Sequence, residues 1–578
     1  MMEPFERIDI QELPLSVPAF RRKVEDFLGR NGLRLEEVDL YLAVQDPDGS
    51  ILAGGGLYRD IIKCIAVSEE ARSLGLSTPL ISRLISVAAD RGHTNVKVFT
   101  KPENRAIFES LGFRVLASAP KAILMENGRG LEEYCAYLRS HRSEGVIIMN
   151  ANPFTLGHRF LLEQAAAQVE GLAVIPVKEN LSRFPYSERL DMVRKGSECL
   201  ADVLEGSDYQ ISAATFPTYF LKDLTDVSET QMRLDIDLFG RHIAPALGAS
   251  VRFVGSEPTD PLTARYNGLM QELLPSFGVR VVEIPRLRDS KGTVSATRVR
   301  AALDAGRYSE AAASTPASTR PYLLADLAER ALRLELDAPL KPGLVGPDSA
   351  GAHQDMDYTL MLKSIAAIRP FFPRIAQTGV ATELRQLGLE AEKAMLAASG
   401  GVNTHRGAIF ALGLVLSAAG RRMEVVDYEQ NMQNCLVLLA RTLSHNNLKD
   451  SELYSTPGFH GSEVTRQFGV KGAREMALEG YKDLFENWLP AYRSMEGDSR
   501  RVQKTLLLIM SGLDDTCIIH RVGYERAQLV KQESKSMLDS FNGQGLEDMC
   551  IRYASEGISP GGAADMLALT IFMDSLLN

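Results

Sequence analysis

Two short segments pair residue types that handle phosphate. In MNANPFTLGHRFLLEQA (149–165) an apolar strand pattern ends at Asn150. A polar loop with Asn152 and Thr155 follows, and a helix opens around Gly157 and His158. A helix that starts directly after a parallel strand offers free N–H groups and the positive end of its dipole, which suits an anion. Glycine at 157 lets backbone approach a nucleotide closely. His158 is placed to donate to an α-phosphate as negative charge builds during adenylyl transfer. The plainer reading is that Thr155 caps the helix and His158 is only a first-turn residue. VSATRVRAAL (294–303) makes that reading less satisfactory. There Ser295, Thr297 and Arg298 open a second helix with hydroxyls and a guanidinium suited to β- and γ-phosphates. Lys178, Arg183 and Arg189, in VKENLSRFPYSER (177–189), are further cationic candidates, or an ordinary basic loop and helix face.

A second set of polar residues lies further on, in five glycine-bearing loops between apolar helices. They are KPGLVGPDSAGAHQDMD (341–357), GGVNTHRGAIFALG (400–413), GFHGSEV (458–464), GLDDTCIIHR (512–521) and GISPGGAADMLAL (557–569). One such loop is a cap or a turn; five suggest loops that converge on a polar site. Asp355, Asp357, Asp514, Asp515 and Asp565 are candidate magnesium ligands on a triphosphate. Lys341, Arg406 and Arg521 are candidates for phosphate oxygens. His353, His405 and His460 are candidate proton carriers, and His353 and His405 with Asp355 and Asp515 form the candidate catalytic set of this block.

Three blocks must position these residues. Residues 1–125 order as α+β, with strands over 38–45, 50–59, 60–67 and 95–100 and a last one at FRVLAS, and helices over 17–33, 79–91 and 104–112. Residues 143–318 alternate strands (146–150, 172–177, 251–255, 279–285) with helices (157–169, 186–200), which implies a doubly wound parallel sheet. A Ser/Thr/Pro/Ala connector at 314–321 opens the third block, 319–578, where the strand signal fades and apolar residues recur at helical spacing. The expected class is multidomain α/β plus all-α.

Composition narrows the function. The chain has 578 residues, 45% hydrophobic and 24% charged, with a formal net charge of −10. That is an ordinary soluble composition without the broad basic surface that nucleic acid requires. Six scattered cysteines form no CxxC pair, which fits a reducing cytoplasm rather than a disulfide scaffold or thiolate zinc site. The start, MMEPFERIDIQEL, lacks the apolar stretch of a signal peptide, and no apolar run reaches membrane-spanning length, so neither membrane nor export is expected.

The pair T-x-G-H and S-x-T-R resembles the nucleotidylyltransferase superfamily. With NANPFTLGHRFLLEQAA, VKENLSRFPYSER and FVGSEPTDPLTARYN (253–267), residues 1–318 resemble citrate lyase ligase. That resemblance implies ATP-dependent adenylation of acetate and transfer of the acetyl group to the prosthetic thiol of the citrate lyase acyl carrier protein. It implies that Thr155, Gly157 and His158 act on the α-phosphate, that Ser295, Thr297 and Arg298 hold the phosphate tail, and that magnesium accompanies ATP. The loop Arg72-Ser-Leu-Gly75-Leu-Ser77 and NRAIFESLGF (104–113) resemble the GNAT acyltransferase fold, with Ser77 where a smaller residue is usual. An active acyltransferase and a docking domain for the prosthetic arm both remain open, with docking favoured.

Over 320–578, KPGLV, SGAH-x-DMD, GVNTH-x-GAIF, DDT…HR and SPGG-x-ADMLA resemble triphosphoribosyl-dephospho-CoA synthase. Glu475, directly after Arg474, and Gly346 depart from the usual pattern. The implied reaction joins the ribose of ATP to the 2′-hydroxyl of dephospho-CoA and releases adenine. The resulting expectation is a bifunctional citrate lyase maturation enzyme. Alternatives are a small-molecule adenylyltransferase fused to a non-catalytic docking module, or a malonate decarboxylase maturation enzyme.

Overall fold

The computed structural model describes residues 8–210, 224–258, 260–421, 434, 436–437 and 460–578; for 224–226, 421 and 460–462 only the backbone is described. Most of the apolar segment expected as a helix at 434–444, the first residues of the GFHGSEV loop and the His460 side chain lie outside the described residues. The chain divides into two compact units, Met1–Val294 and Ser295–Asn578.

The first unit holds two sheets. A seven-stranded sheet has the order β1 (Ile10–Glu12), β2 (Leu40–Gln45), β3 (Ile51–Tyr58), β4 (Ile61–Val67), β5 (Val96–Thr100), β7 (Ala122–Asn127), β6 (Arg114–Ala119). All its pairings are antiparallel except β4 with β5, which are parallel and pair only at Ile61–Lys97 and Ile62–Val98. Strand β7 was absent from the sequence reading: AILMEN is short, and its neighbours on the sheet decide its state. Helices Pro18–Arg30 and Ser77–Asp90 lay apolar stripes on this sheet through Val24, Phe27 and Leu28, and through Leu80, Ile81 and Leu84.

The second sheet is all parallel, in the order β10 (Asp202–Val203), β9 (Leu172–Pro176), β8 (Gly145–Met149), β11 (Val251–Gly255), β12 (Arg280–Ile284). Strand β8 is first in sequence and central in space, so the chain winds outward from it in both directions. The crevice at the carboxyl ends of β8 and β11 is therefore the switch point where parallel sheets bind ligands. Strands buried on both faces read as continuous apolar runs, as GVIIM and LAVIP do. The two sheets share one core, and His242 Nε2 on one side meets the Leu116 carbonyl on the other at 2.9 Å.

The second unit is helical among its described residues. Helices Ala296–Asp304 and Tyr308–Ala313 belong to it: Arg298 Nη2 donates to Ser314 Oγ at 2.7 Å, and Ser309 Oγ donates to the Asn578 carbonyl at 2.6 Å. Its centre is Gly561–Leu577, apolar on nearly every side and buried by Arg320–Asp337, Arg406–Arg421 and Arg501–Gly512. None of the described helices is long and apolar enough to cross a membrane.

Candidate active sites

The first site is built where β8 ends. Asn150 to Thr155 leave the strand as a tight loop, with Ala151 at φ 50°, and the Leu156–Ala166 helix begins at once. Thr155 is its N-cap: its hydroxyl accepts from the His158 backbone N–H at 3.3 Å. His158 Nδ1 in turn faces the Thr155 N–H at 3.0 Å and the Thr155 hydroxyl at 2.9 Å. A nitrogen that receives a backbone N–H carries no proton of its own. The neutral ring therefore bears its hydrogen on Nε2. Burial and the nearby Arg286 guanidinium lower the His158 pKa to about 4, so this neutral donor persists at physiological pH. Phe154 stacks on the ring at 5.6 Å and fixes its plane. Gly157 lies against the Val294 carbonyl, where a Cβ would come within 2.7 Å.

The cationic candidates separate. Arg189 is fully buried. Its guanidinium donates to the carbonyls of Asn150 and Val177 at 2.7 and 2.9 Å, Glu179 at 2.5 Å and Phe184 at 3.1 Å, and lies 3.4 Å from the Glu179 carboxylate. With its donors taken, Arg189 clamps the loop after β8 to the loop after β9 and is not aimed at a phosphate. Asn152 joins the same clamp by accepting from the Phe184 N–H at 3.3 Å. Lys178 is half exposed and lies 3.6 Å from Asp208. Arg183 is partly buried. Arg286 escaped the sequence reading because nothing local marks it; only the sheet brings β12 beside β11, where Arg286 pairs with Glu257.

The motif at the start of the second unit forms a second capped helix. Ser295 Oγ accepts from the Arg298 N–H at 3.2 Å. Thr297 is exposed and accepts from Arg300 at 3.1 Å.

In the helical unit four of the five loops meet at the start of Gly561–Leu577. Asp515 is buried and caps two helices: one oxygen accepts from Cys517 and Ile518 at 2.8 and 3.3 Å, the other from Ala563 at 2.8 Å. Asp565 accepts from the Ala408 N–H at the start of Arg406–Arg421, and Gly407 is glycine because its Cβ position is taken by this carboxyl. Burial raises the pKa of both acids; for Asp565 the Asp515 and Glu335 carboxylates add to the effect. Gly343, at φ 72°, packs on the Ile558 carbonyl, and His353 Nε2 meets Ser559 Oγ at 2.8 Å. His353 Nδ1 faces Arg521 Nη2 at 3.2 Å, with the exposed Asp355 carboxylate at 3.6 Å. Burial, then Arg521, lowers the His353 pKa. His405 is buried, holds Ser364 Oγ at 2.7 Å, and has its pKa lowered to about 4, first by burial and then by Lys341.

Other expected roles fit the structure less well. Lys341 is buried against Glu335 at 2.6 Å, and Arg406 pairs with Glu392 at 2.5 Å. Both cations are thus already neutralised within the fold. Asp514 is bound by Lys531 at 2.8 Å, and Asp357 caps Tyr358–Ile368 through the Leu360 N–H at 2.7 Å. Among the described residues no group of three or more His, Cys, Asp or Glu is arranged to hold a metal. The five acids therefore do not fit a dedicated magnesium cage: they are dispersed into caps and ion pairs. Tyr481 was missed altogether. It is buried beside this cluster, and its nearest sequence signal, Gly480-Tyr481, reads only as a helix end.

Comparison with known proteins divides the chain at 321–323, beyond the boundary of the compact units at Val294 and Ser295. Residues 144–323 match the family described as citrate lyase ligase C-terminal domain, and residues 321–578 match ATP:dephospho-CoA triphosphoribosyl transferase. The chain is 38% identical over 333 residues to a [citrate [pro-3S]-lyase] ligase of Haemophilus influenzae, covering 55% of this chain and 98% of that protein. It is 41% identical over 315 residues to the Escherichia coli ligase, covering 52% of this chain and 89% of that one. Over its other half it is 35% identical over 283 residues to a protein of Azotobacter vinelandii named "Probable 2-(5''-triphosphoribosyl)-3'-dephosphocoenzyme-A synthase", covering 46% and 94%. Carrying both sets of loops in one polypeptide, the chain belongs to the citrate lyase ligase family through its first part and to the triphosphoribosyl-dephospho-CoA synthase family through its second, and is a bifunctional citrate lyase maturation enzyme.

Proposed function

We propose that the ligase half adenylates acetate at the loop after β8. A carboxylate oxygen of acetate attacks the α-phosphorus of ATP and pyrophosphate leaves. The thiolate of the citrate lyase prosthetic group then attacks the acetyl carbonyl and AMP leaves. The neutral His158, its Nε2–H presented by Thr155, supports this reading best. A neutral donor hydrogen-bonds an α-phosphate oxygen more strongly as that oxygen gains charge, and it needs no proton transfer. Ser295, Thr297 and Arg298 are proposed for the phosphate tail.

The first 125 residues form a GNAT-like domain in this reading, followed by a nucleotidylyltransferase-like domain over 143–318 and the helical synthase over 319–578. The parallel strands β4 and β5 pair only at Ile61–Lys97 and Ile62–Val98, and this limited pairing supports the proposed docking of an extended thiol-bearing arm beside them.

In the synthase half, the 2′-oxygen of dephospho-CoA attacks the anomeric carbon of ATP's ribose. The bond to adenine breaks, adenine gains a proton, and the triphosphate stays on the sugar. His353, neutral and oriented by Ser559, is proposed as the base for the hydroxyl once the triphosphate draws Arg521 off its Nδ1. The exposed Arg521 is proposed for the triphosphate. Asp515, Asp565 and His405 build the floor that the ribose meets. Magnesium is proposed to arrive on the triphosphate with its water shell rather than in a protein cage.

Product analysis of the whole chain tests both halves. ATP, magnesium and dephospho-CoA yield free adenine and a triphosphoribosyl adduct. ATP, acetate and the deacetylated acyl carrier yield AMP, pyrophosphate and acetyl thioester. Folded protein that releases no adenine overturns the synthase assignment, and absence of acetate-dependent AMP overturns the ligase assignment.

A further inference from the structure

The Tyr481 hydroxyl is anomalous on two counts. Its side chain is 2% exposed, and its oxygen has no hydrogen-bond partner among the described residues. Buried tyrosine hydroxyls normally find one, because an unmet buried donor costs about 1–3 kcal/mol. Its backbone also sits at φ 53°, a region that a bulky residue rarely occupies. Gly480, at φ 71°, ends the Ala473–Leu478 helix through its N–H to the Ala477 carbonyl, and Tyr481 N–H bonds Met476 O at 2.9 Å. The chain thus holds Tyr481 at a fixed angle, with its hydroxyl unmet among the described residues.

The surroundings select a ligand class. Tyr481 lies within electrostatic reach of Asp565, which itself feels Asp515 and Glu335. The cation at this cluster, Lys341, is already held by Glu335. With Lys341 already paired, the acids at this floor suit sugar hydroxyls, from which carboxyl groups accept readily, better than phosphate oxygens. We propose that the Tyr481 hydroxyl is a substrate contact of the synthase half, donating to an oxygen of the ATP ribose while the neighbouring acids accept from its hydroxyls.

This proposal rests on the synthase assignment, so wild-type adenine release is the first control. Its absence would refute that assignment and not the tyrosine contact. The test variant is Tyr481→Phe in the full chain. Because the lost hydroxyl is unsatisfied without ligand, thermal unfolding of the free variant is expected to be no lower than wild type. Acetate-dependent AMP formation by the ligase half is expected to be unchanged. The kcat/KM of adenine release for ATP is expected to fall 10- to 100-fold. With 2′-deoxy-ATP or 3′-deoxy-ATP, one of the two analogues should show the variant and wild type reacting alike, because the contacted oxygen is already gone. An unchanged kcat/KM for ATP overturns the proposal. So does an equal penalty with ATP and both analogues, or a loss of activity that tracks a lowered unfolding temperature.

Discussion

Replacing Gly157 by alanine tests the ligase site with one methyl group. The added Cβ would stand 2.7 Å from the Val294 carbonyl oxygen and 3.4 Å from Thr155 Oγ1. Ordinary contact begins at roughly 3.5 Å, so the two backbones must separate by about 0.8 Å. Neither atom is the end of a flexible side chain; Val294 O is backbone and Thr155 is the cap. Overpacking of this kind costs about 1–3 kcal/mol, and alanine in a first helical turn returns up to about 1 kcal/mol of helix propensity. The net loss of stability is therefore small, about 0–2 kcal/mol. Catalysis is affected more, because the displaced segment carries His158 on the very next residue. A misplacement near 1 Å lowers a rate by about 100-fold. The assay is acetate-dependent AMP formation on the deacetylated acyl carrier, with adenine release from dephospho-CoA and ATP as an internal control in the same polypeptide. The expected outcome is a ligase rate reduced on the order of 10²-fold with adenine release unchanged. A variant with wild-type ligase turnover would refute the idea that Val294 and the His158 turn are held at a fixed separation.

Two further expectations concern buried polar groups. Exchanging Arg189 for lysine replaces a planar fork by a single point donor among the Asn150, Val177, Glu179 and Phe184 carbonyls; a loss of about 3–5 kcal/mol should appear in denaturant unfolding, with ligase activity falling alongside. His405 has a folded pKa of about 4 against 6.5 when unfolded, so its stabilising contribution is complete above 6.5 and is lost as pH falls toward 4. Between pH 7 and pH 5 this amounts to about 2 kcal/mol, and His405→Gln should abolish that part of the pH dependence, read by denaturant titration at both values.

The sequence and the tertiary structure divide the account of this protein between them. Helix starts are local events, so Thr155 and Ser295 were legible as residues that open helices: a short polar side chain reaches N–H groups only two or three positions ahead. Parallel strands were legible because burial on both faces writes an unbroken apolar run, as at 145–149 and 172–176. The chemistry of a charged residue was not legible, because it depends on partners distant in sequence. Arg189 and Lys178 look alike in the sequence, yet one is a buried clamp and the other a half-exposed lysine. The acids at 355, 357, 514, 515 and 565 read as one ligand set, yet folding gives Asp514 to Lys531, Asp357 to a helix cap and Asp565 to the Ala408 N–H. Arg286 had no local sequence signal, and Tyr481 only that of a helix end. Motif residues declare themselves through neighbours in the chain, whereas protonation and pairing follow from burial and charge brought together in space, which only the tertiary structure decides.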